Sequence, residues 1–286
     1  MNQYPIVMGI LNLSAHSFYQ AIPNYSDALK KAEEMIADGA KIIDVGGVAT
    51  NPTINLDSDI PSVQQELDSV IPFIELLSKK MKCKISVDTY RAIVMEESIH
   101  AGAHMINDQR ALTEENALKT AVKLNVPVCL MHHFNPPRLM ETQRGWTEPR
   151  VENCEAIRNK RSHASLLLQI KNELNEYTTR CLQAGLLRDN IILDPGFGGG
   201  NFGKTADENF YLLAHLKEFV ELGFPMLVGL SRKIMFKEIA PAVEDRLPAS
   251  LAAAVIAAQN GASIIRVHDV KATVDAMWVL SQIGRT

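Results

Sequence analysis

Several polar residues in this sequence share one local setting. Asn12, Asp44, Asp88, Asn107, Asp108, Asp194, Arg266 and His268 each stand in or at the end of a short apolar run. Ser231, Arg232 and Lys233 end another such run, and Met131 and His132 end a further one. Taken singly, several have plain structural readings. Asp88 and Asp108 could each cap a following helix or turn, Asp44 could hold a neighbouring backbone, and Asp194-Pro195-Gly196 could be only a turn. Taken together they are chemically coherent. Asp88, Asn107, Asp194 and Lys233 form a donor and acceptor array suited to a flat, nitrogen-rich heterocycle. Arg266 lies inside an apolar run, where an unpartnered guanidinium is costly. His268, two residues on, faces the same way if the run is a strand. Fork donors beside a ring donor suit an anionic oxygen cluster such as a phosphate. Arg232-Lys233 at a helix start opposes the helix dipole, which also points to a bound anion. Asn12 offers an amide oxygen to magnesium, a cation that prefers phosphates and water to a full protein cage.

Such residues act together only if the elements bring the run ends to one place. The runs are PIVMGILNL (5–13), KIIDVGG (41–47), CKISVDT (83–89), HMIND (104–108), VPVCLMHH (126–133), NIILDPG (190–196), FPMLVGLSR (224–232) and SIIRVHD (263–269). They are rich in Val, Ile, Leu and Met without alternation, as for strands buried on both faces. Helix-length segments with apolar residues three and four apart separate them. Asp38-Gly39-Ala40, Ala101-Gly102-Ala103 and Asn260-Gly261-Ala262 each close such a segment just before a run, with glycine at the left-handed position. Eight strand–helix units predict one α/β domain over residues 1–286, a (β/α)₈ TIM barrel, whose strand ends converge on one rim. A doubly wound sheet is the alternative. Residues 135–160 read as an excursion after the fifth strand, followed by a helix over about 162–184.

Composition narrows the function classes. The chain has 286 residues, 47% of them hydrophobic and 22% charged, with a formal charge of −4 and no basic stripe, so no nucleic-acid partner is expected. No apolar run approaches the ~20 residues of a membrane helix, and residues 1–8 carry no signal-peptide pattern. Cys83, Cys129, Cys154 and Cys181 show no metal-ligand spacing and read as reduced thiols of a cytoplasmic protein.

The motifs GILN (9–12), DVGG (44–47), SVDT (86–89), GAHMIND (102–108), ILDPGF (192–197), GLSRK (229–233), PASLAAAVIAAQNGA (248–262) and IIRVHDV (264–270) occur in this order. On them the chain resembles the dihydropteroate synthase family over nearly its full length. The resemblance implies a TIM barrel, usually dimeric. The family joins 6-hydroxymethyl-7,8-dihydropterin pyrophosphate to p-aminobenzoate in folate biosynthesis. It implies that Asp88, Asn107, Asp194 and Lys233 hold the pterin, with Met131 on the pocket wall. Asn12, Arg266 and His268 would hold the pyrophosphate, with Mg2+ on Asn12. These three and Lys233 would carry the catalysis. Ser17, Phe18, Thr50 and Pro52 would belong to two loops that shape the aminobenzoate pocket.

The chain also departs from the family pattern. His16 stands where the first loop usually has an aspartate, and Asn51 where the second has an arginine. Ile234 follows Lys233 where serine is frequent, and Gly198-Gly199-Gly200 adds residues before Phe202-Gly203-Lys204. An aspartate in the first loop can stabilise a pterin cation; a neutral histidine supplies no negative charge. Losing one preorganised electrostatic group typically costs ~10²–10³ in rate. Two other readings therefore stand beside a working synthase: a homologue with weak or altered activity, and a pterin-binding protein without turnover.

Overall fold

All eight apolar runs form parallel strands. A computed structural model of the protein describes residues 4–13, 24–48, 60–134, 162–199 and 203–283. The strands are β1 (Ile6–Asn12), β2 (Ile42–Gly46), β3 (Lys84–Asp88), β4 (Met105–Asp108), β5 (Val128–Met131), β6 (Ile191–Asp194), β7 (Leu227–Val228) and β8 (Ile264–Val267). They pair in the order β6-β5-β4-β3-β2-β1-β8-β7. A bridge from Leu193 to Met226, with the Leu193 N–H donating to the Pro225 carbonyl at 2.9 Å, joins β6 to β7 and closes the barrel. This bridge covers the two edges that an open sheet would expose.

The helices are α1 (Tyr25–Ala37), α2 (Val63–Lys80), α3 (Ala92–His100), α4 (Ala117–Leu124), α5 (His163–Gln183), α6 (Ala206–Ala214), α7 (Leu216–Val220), α8 (Leu247–Gln259) and α9 (Val270–Ile283). Their starts follow from side chains that bind free N–H groups. Ser62 with Gln65 and Thr205 with Glu208 form reciprocal capping boxes on α2 and α6, and Ser162 caps α5. Their ends follow the glycine signal: Gly39, Gly102 and Gly261 all have positive φ and close α1, α3 and α8. Gly185 closes α5 in the same way, outside the tripeptide pattern.

One strand is shorter than its apolar run. The run 224–232 predicts a full strand, but only Leu227–Val228 is laddered. After Gly229 the chain turns off the barrel. Arg232 takes a φ of +56°, and its N–H donates to the Ser250 hydroxyl at 2.8 Å instead of to a neighbouring strand. The expected excursion at 135–160 lies outside the described residues.

The core has two compartments. Between strands and helices, residues such as Leu11, Ile43, Val87, Ile106, Leu130, Phe73 and Phe219 are buried together. Inside the barrel, Met8, Ile42, Met105, Cys129, Ile192, Leu227 and Ile264 fill one apolar layer, one from nearly every strand. Burying each large aliphatic contributes about 1.5–3 kcal/mol, so this layer plugs the barrel firmly.

Candidate active site

The strand period of two converts that plug into a site. Two residues beyond Ile42, Met105, Cys129, Ile192 and Ile264 stand Asp44, Asn107, Met131, Asp194 and Arg266. Four residues beyond Met8 stands Asn12, and four beyond Ile264 stands His268. These positions face the same way as the plug, one or two layers nearer the strand C-termini. The register aligns them. Asn12 pairs with Gly46, Gly46 with Asp88, Asp88 with Asn107, and Met131 with Asp194. Gly46 makes the close approach possible: a Cβ there would lie 3.4 Å from Asn12 Oδ1 and 3.5 Å from the Asp88 Cβ.

Arg266 organises the centre. Its Nε donates to Asp44 Oδ2 at 2.6 Å and its Nη2 to Asp88 Oδ2 at 2.7 Å. The bond to Asp88 crosses from β8 to β3, over the barrel interior. This supplies the carboxylate partners that a buried guanidinium needs. Among the described residues, Nη1 makes no hydrogen bond.

Asp44 also fixes an amide. Asn107 Nδ2 donates to Asp44 Oδ2 at 3.0 Å. An ionised carboxylate only accepts, so the amide nitrogen must face Asp44 and the Asn107 oxygen must face the pocket. Asp88 is further held by Gln109, whose Nε2 donates to both carboxylate oxygens at 3.0 Å. Burial raises the Asp88 pKa to about 7; Arg266 opposes the rise and Asp44 adds to it.

Asp194 uses one oxygen locally: Oδ1 accepts from the Gly196 N–H at 2.7 Å. Its Oδ2 makes no hydrogen bond among the described residues. The turn reading of this residue therefore holds for Oδ1. Burial raises its pKa, while the Gly196 N–H and the Lys233 ammonium oppose the rise. Lys233 donates from Nζ to the Phe197 carbonyl, on the same turn. Burial lowers the Lys233 pKa to about 8, with Asp194 and Asp88 opposing. The ammonium remains mostly protonated at neutral pH.

At the rim, Ser231 Oγ accepts from the His268 N–H at 3.2 Å and lies 3.0 Å from His268 Nδ1. The hydroxyl has its proton to give to Nδ1, which leaves the ring proton on Nε2. Burial and the nearby Arg266 charge depress the His268 pKa to about 3, so the ring is neutral at pH 7.

Two residues considered for the site turn elsewhere. Asp108 accepts from the N–H groups of Arg110 and Leu112 at 2.7 and 2.8 Å, so it holds the turn after β4. Arg232 does not face an anion site. It grips Asp269 with Nε and Nη2 at 2.8 and 2.7 Å and donates to the carbonyls of Val243 and Glu244. The expected helix start is absent: after Lys233 the chain makes only the three-residue 3-10 turn Ile234–Phe236, so no α-helix dipole opposes these cations, and Asp269 meets the Arg232 charge. Ser17, Phe18, Thr50 and Pro52, with His16 and Asn51, lie outside the described residues. Ile234 is 41% exposed beside the site, with its Cγ2 close to Gly199.

The structure adds residues that no run marked. Lys204 is 1% exposed, and its Nζ donates to the Gly196 carbonyl at 2.6 Å. It also lies 3.2 Å from His132 Nδ1, and His132 Nε2 lies 2.8 Å from Glu173 Oε2. Gln109 was equally silent in sequence. A lysine between a glycine-rich stretch and the helix-capping Thr205 was the one local cue to Lys204.

Known proteins match this architecture. The pterin binding enzyme family matches residues 8–268. A dihydropteroate synthase of Haemophilus influenzae is 42% identical over 278 residues, covering 96% of this chain and 92% of the relative. A dihydropteroate synthase of Coxiella burnetii, solved in complex with pteroic acid, superposes with a TM-score of 0.85 at 44% identity, covering 98% and 93% of the two chains. The Xanthomonas albilineans dihydropteroate synthase, solved with 4-aminobenzoic acid, superposes at 0.82 with 34% identity, covering 99% and 94%. A closed barrel with this polar layer, matched over nearly its whole length, belongs to the pterin-binding enzymes and, among them, to the dihydropteroate synthases.

Proposed function

We propose that the protein condenses 6-hydroxymethyl-7,8-dihydropterin pyrophosphate with p-aminobenzoate, giving dihydropteroate and pyrophosphate. The observation that carries this reading is the polar layer above the apolar plug. It presents three acceptor groups, Asp88, Asn107 Oδ1 and Asp194 Oδ2, on the strand ends, with the Lys233 ammonium close enough to feel the Asp194 and Asp88 charges. A pterin ring has N–H donors and a carbonyl acceptor in one plane, and this set matches both kinds.

The same layer explains how the reaction proceeds. The pterin C–O bond to pyrophosphate breaks, leaving a resonance-stabilised pterin cation that the arylamine attacks. The carboxylates and the Asn107 oxygen lower the energy of that cation, because they are fixed before the charge develops. Arg266 Nη1 and the His268 Nε2–H are the donors suited to the leaving pyrophosphate. A dianion beside His268 favours its protonated form, so pyrophosphate binding raises that depressed pKa. The apolar plug keeps water from the barrel side of the cation.

Magnesium fits this donor set as an ion held mainly by its substrate. Asn12 Oδ1 would supply one oxygen at the rim, and no cluster of three or more His, Cys, Asp or Glu side chains forms a cage among the described residues. When bound, the ion neutralises pyrophosphate oxygens.

Homodimerisation is supported by exposed apolar side chains on neighbouring helices, Ile256 on α8 and Trp278, Val279 and Ile283 on α9. A cytoplasmic location is supported by Cys83, Cys129 and Cys181, all free thiols. No helix among the described residues is long and apolar enough to cross a membrane.

Incubating the purified protein with the pterin pyrophosphate and magnesium, with and without p-aminobenzoate, tests the reading. Dihydropteroate formation dependent on both substrates is expected. Pterin binding without turnover would instead make the protein a binding homologue, the reading favoured by His16 and Asn51.

A further inference from the structure

We infer that Lys204 is a positioning residue for the pterin site, acting through a Glu173–His132–Lys204 chain, buried at His132 and Lys204 and half-buried at Glu173, that fixes the turn after β6. The inference rests on the pterin reading of the site. The turn from Asp194 to Phe197 carries two pocket groups: the Asp194 carboxylate, and the Phe197 carbonyl on which Lys233 is docked. Its conformation is unusual. Gly196 has a φ of +72°, and a Cβ there would sit 1.9 Å from the His132 carbonyl oxygen and 3.3 Å from Lys204 Nζ.

Lys204 reaches this turn from beyond it in the chain. Its Nζ donates to the Gly196 carbonyl at 2.6 Å, and its backbone N–H donates to the Gly198 carbonyl at 3.3 Å. The ammonium also lies 4.9 Å from the Phe134 ring centroid. A lysine 1% exposed must be oriented by its partners, since it has no water to turn to. His132 provides that orientation. Its Nδ1, 3.2 Å from Nζ, must accept, because an ammonium only donates. The ring proton is therefore on Nε2, which donates to Glu173 Oε2 at 2.8 Å. Gln169 Nε2 holds the other Glu173 oxygen at 2.8 Å. The His132 N–H completes the circuit by donating to the Asp194 carbonyl at 2.8 Å.

Lys204 thus clamps the carbonyl between the two pocket groups. Its charge also favours the ionised form of Asp194. Loosening the clamp should cost pterin binding and spare aminobenzoate binding.

The test measures binding of 6-hydroxymethyl-7,8-dihydropterin by its fluorescence, and the KM for p-aminobenzoate at saturating pterin pyrophosphate. Wild type that binds no pterin overturns the functional reading itself. With wild-type binding in hand, Lys204→Met is expected to raise the pterin Kd at least tenfold while the aminobenzoate KM changes less than twofold. A folded Lys204→Met with wild-type pterin Kd, or with both constants raised alike, overturns the positioning role. If Lys204→Met does not fold, the Glu173 pair decides. Glu173→Leu should raise the pterin Kd at least threefold, and Glu173→Gln, which keeps an oxygen for the His132 Nε2–H, should restore it to within twofold. Equal Kd values for Glu173→Leu and wild type contradict the inference.

Discussion

At the scale of single residues, Arg266 does two jobs. It holds Asp44 and Asp88 in place, and in the proposed function its remaining guanidinium nitrogen binds pyrophosphate. Arg266→Ala removes the cation between two buried carboxylates. We expect pyrophosphate binding to weaken more than tenfold and stability to fall by about 3–5 kcal/mol, as for other broken buried pairs. Calorimetric titration with pyrophosphate and urea denaturation check the two effects separately; unchanged pyrophosphate affinity would remove Arg266 from the anion site. Asp88 predicts a pH effect. Its pKa is raised in the folded protein, so the folded state keeps a proton that the unfolded chain releases above about pH 4. Wherever the folded state binds more protons, stability falls as pH rises. Asp88 therefore takes stability away between about pH 4 and pH 7. Asp88→Asn should flatten that part of the Tm profile. A profile with the same slope in wild type and variant would contradict the assignment.

At the scale of elements, the site is a set of strand ends plus one turn. The strand ends were legible in the sequence because a buried parallel strand is a continuous apolar run, and a polar residue closing it stands out. Asn12, Asp88, Asn107, Asp194 and Arg266 were found that way, and the period of two places them on the inner face. The turn at Asp194-Pro195-Gly196 is legible, but the side-chain clamp that holds it is not. Lys204 meets His132 across 72 positions and His132 meets Glu173 across 41, and neither spacing has a local pattern. Arg232 was misread for the same reason: its counter-charge, Asp269, lies 37 positions away. The apolar run 224–232 overstated β7, since Leu230 is buried off the ladder in the turn that follows. The turn itself predicts a sharp effect. Gly196→Ala should lower stability and weaken pterin binding together, because its Cβ cannot coexist with the His132 carbonyl. Wild-type urea denaturation and pterin affinity in that variant would show the turn to be free to rearrange.

At the scale of the whole molecule, the barrel separates stability from chemistry. One end is filled by the apolar layer of Met8, Ile42, Met105, Cys129, Ile192, Leu227 and Ile264, and the other carries the polar layer. Outside the barrel, Trp278 and Val279 on α9 are 63% and 55% exposed, which is costly in a lone monomer. Trp278→Glu should convert a dimer to a monomer in sedimentation or light scattering; a wild-type monomer at micromolar concentration would contradict the dimer. One measurement addresses the chemistry of the polar layer most directly: product formation from pterin pyrophosphate, p-aminobenzoate and magnesium, followed with pyrophosphate release. We predict dihydropteroate and pyrophosphate in equal amounts, both dependent on p-aminobenzoate. Tight binding of the pterin pyrophosphate with no dihydropteroate formed would contradict the account.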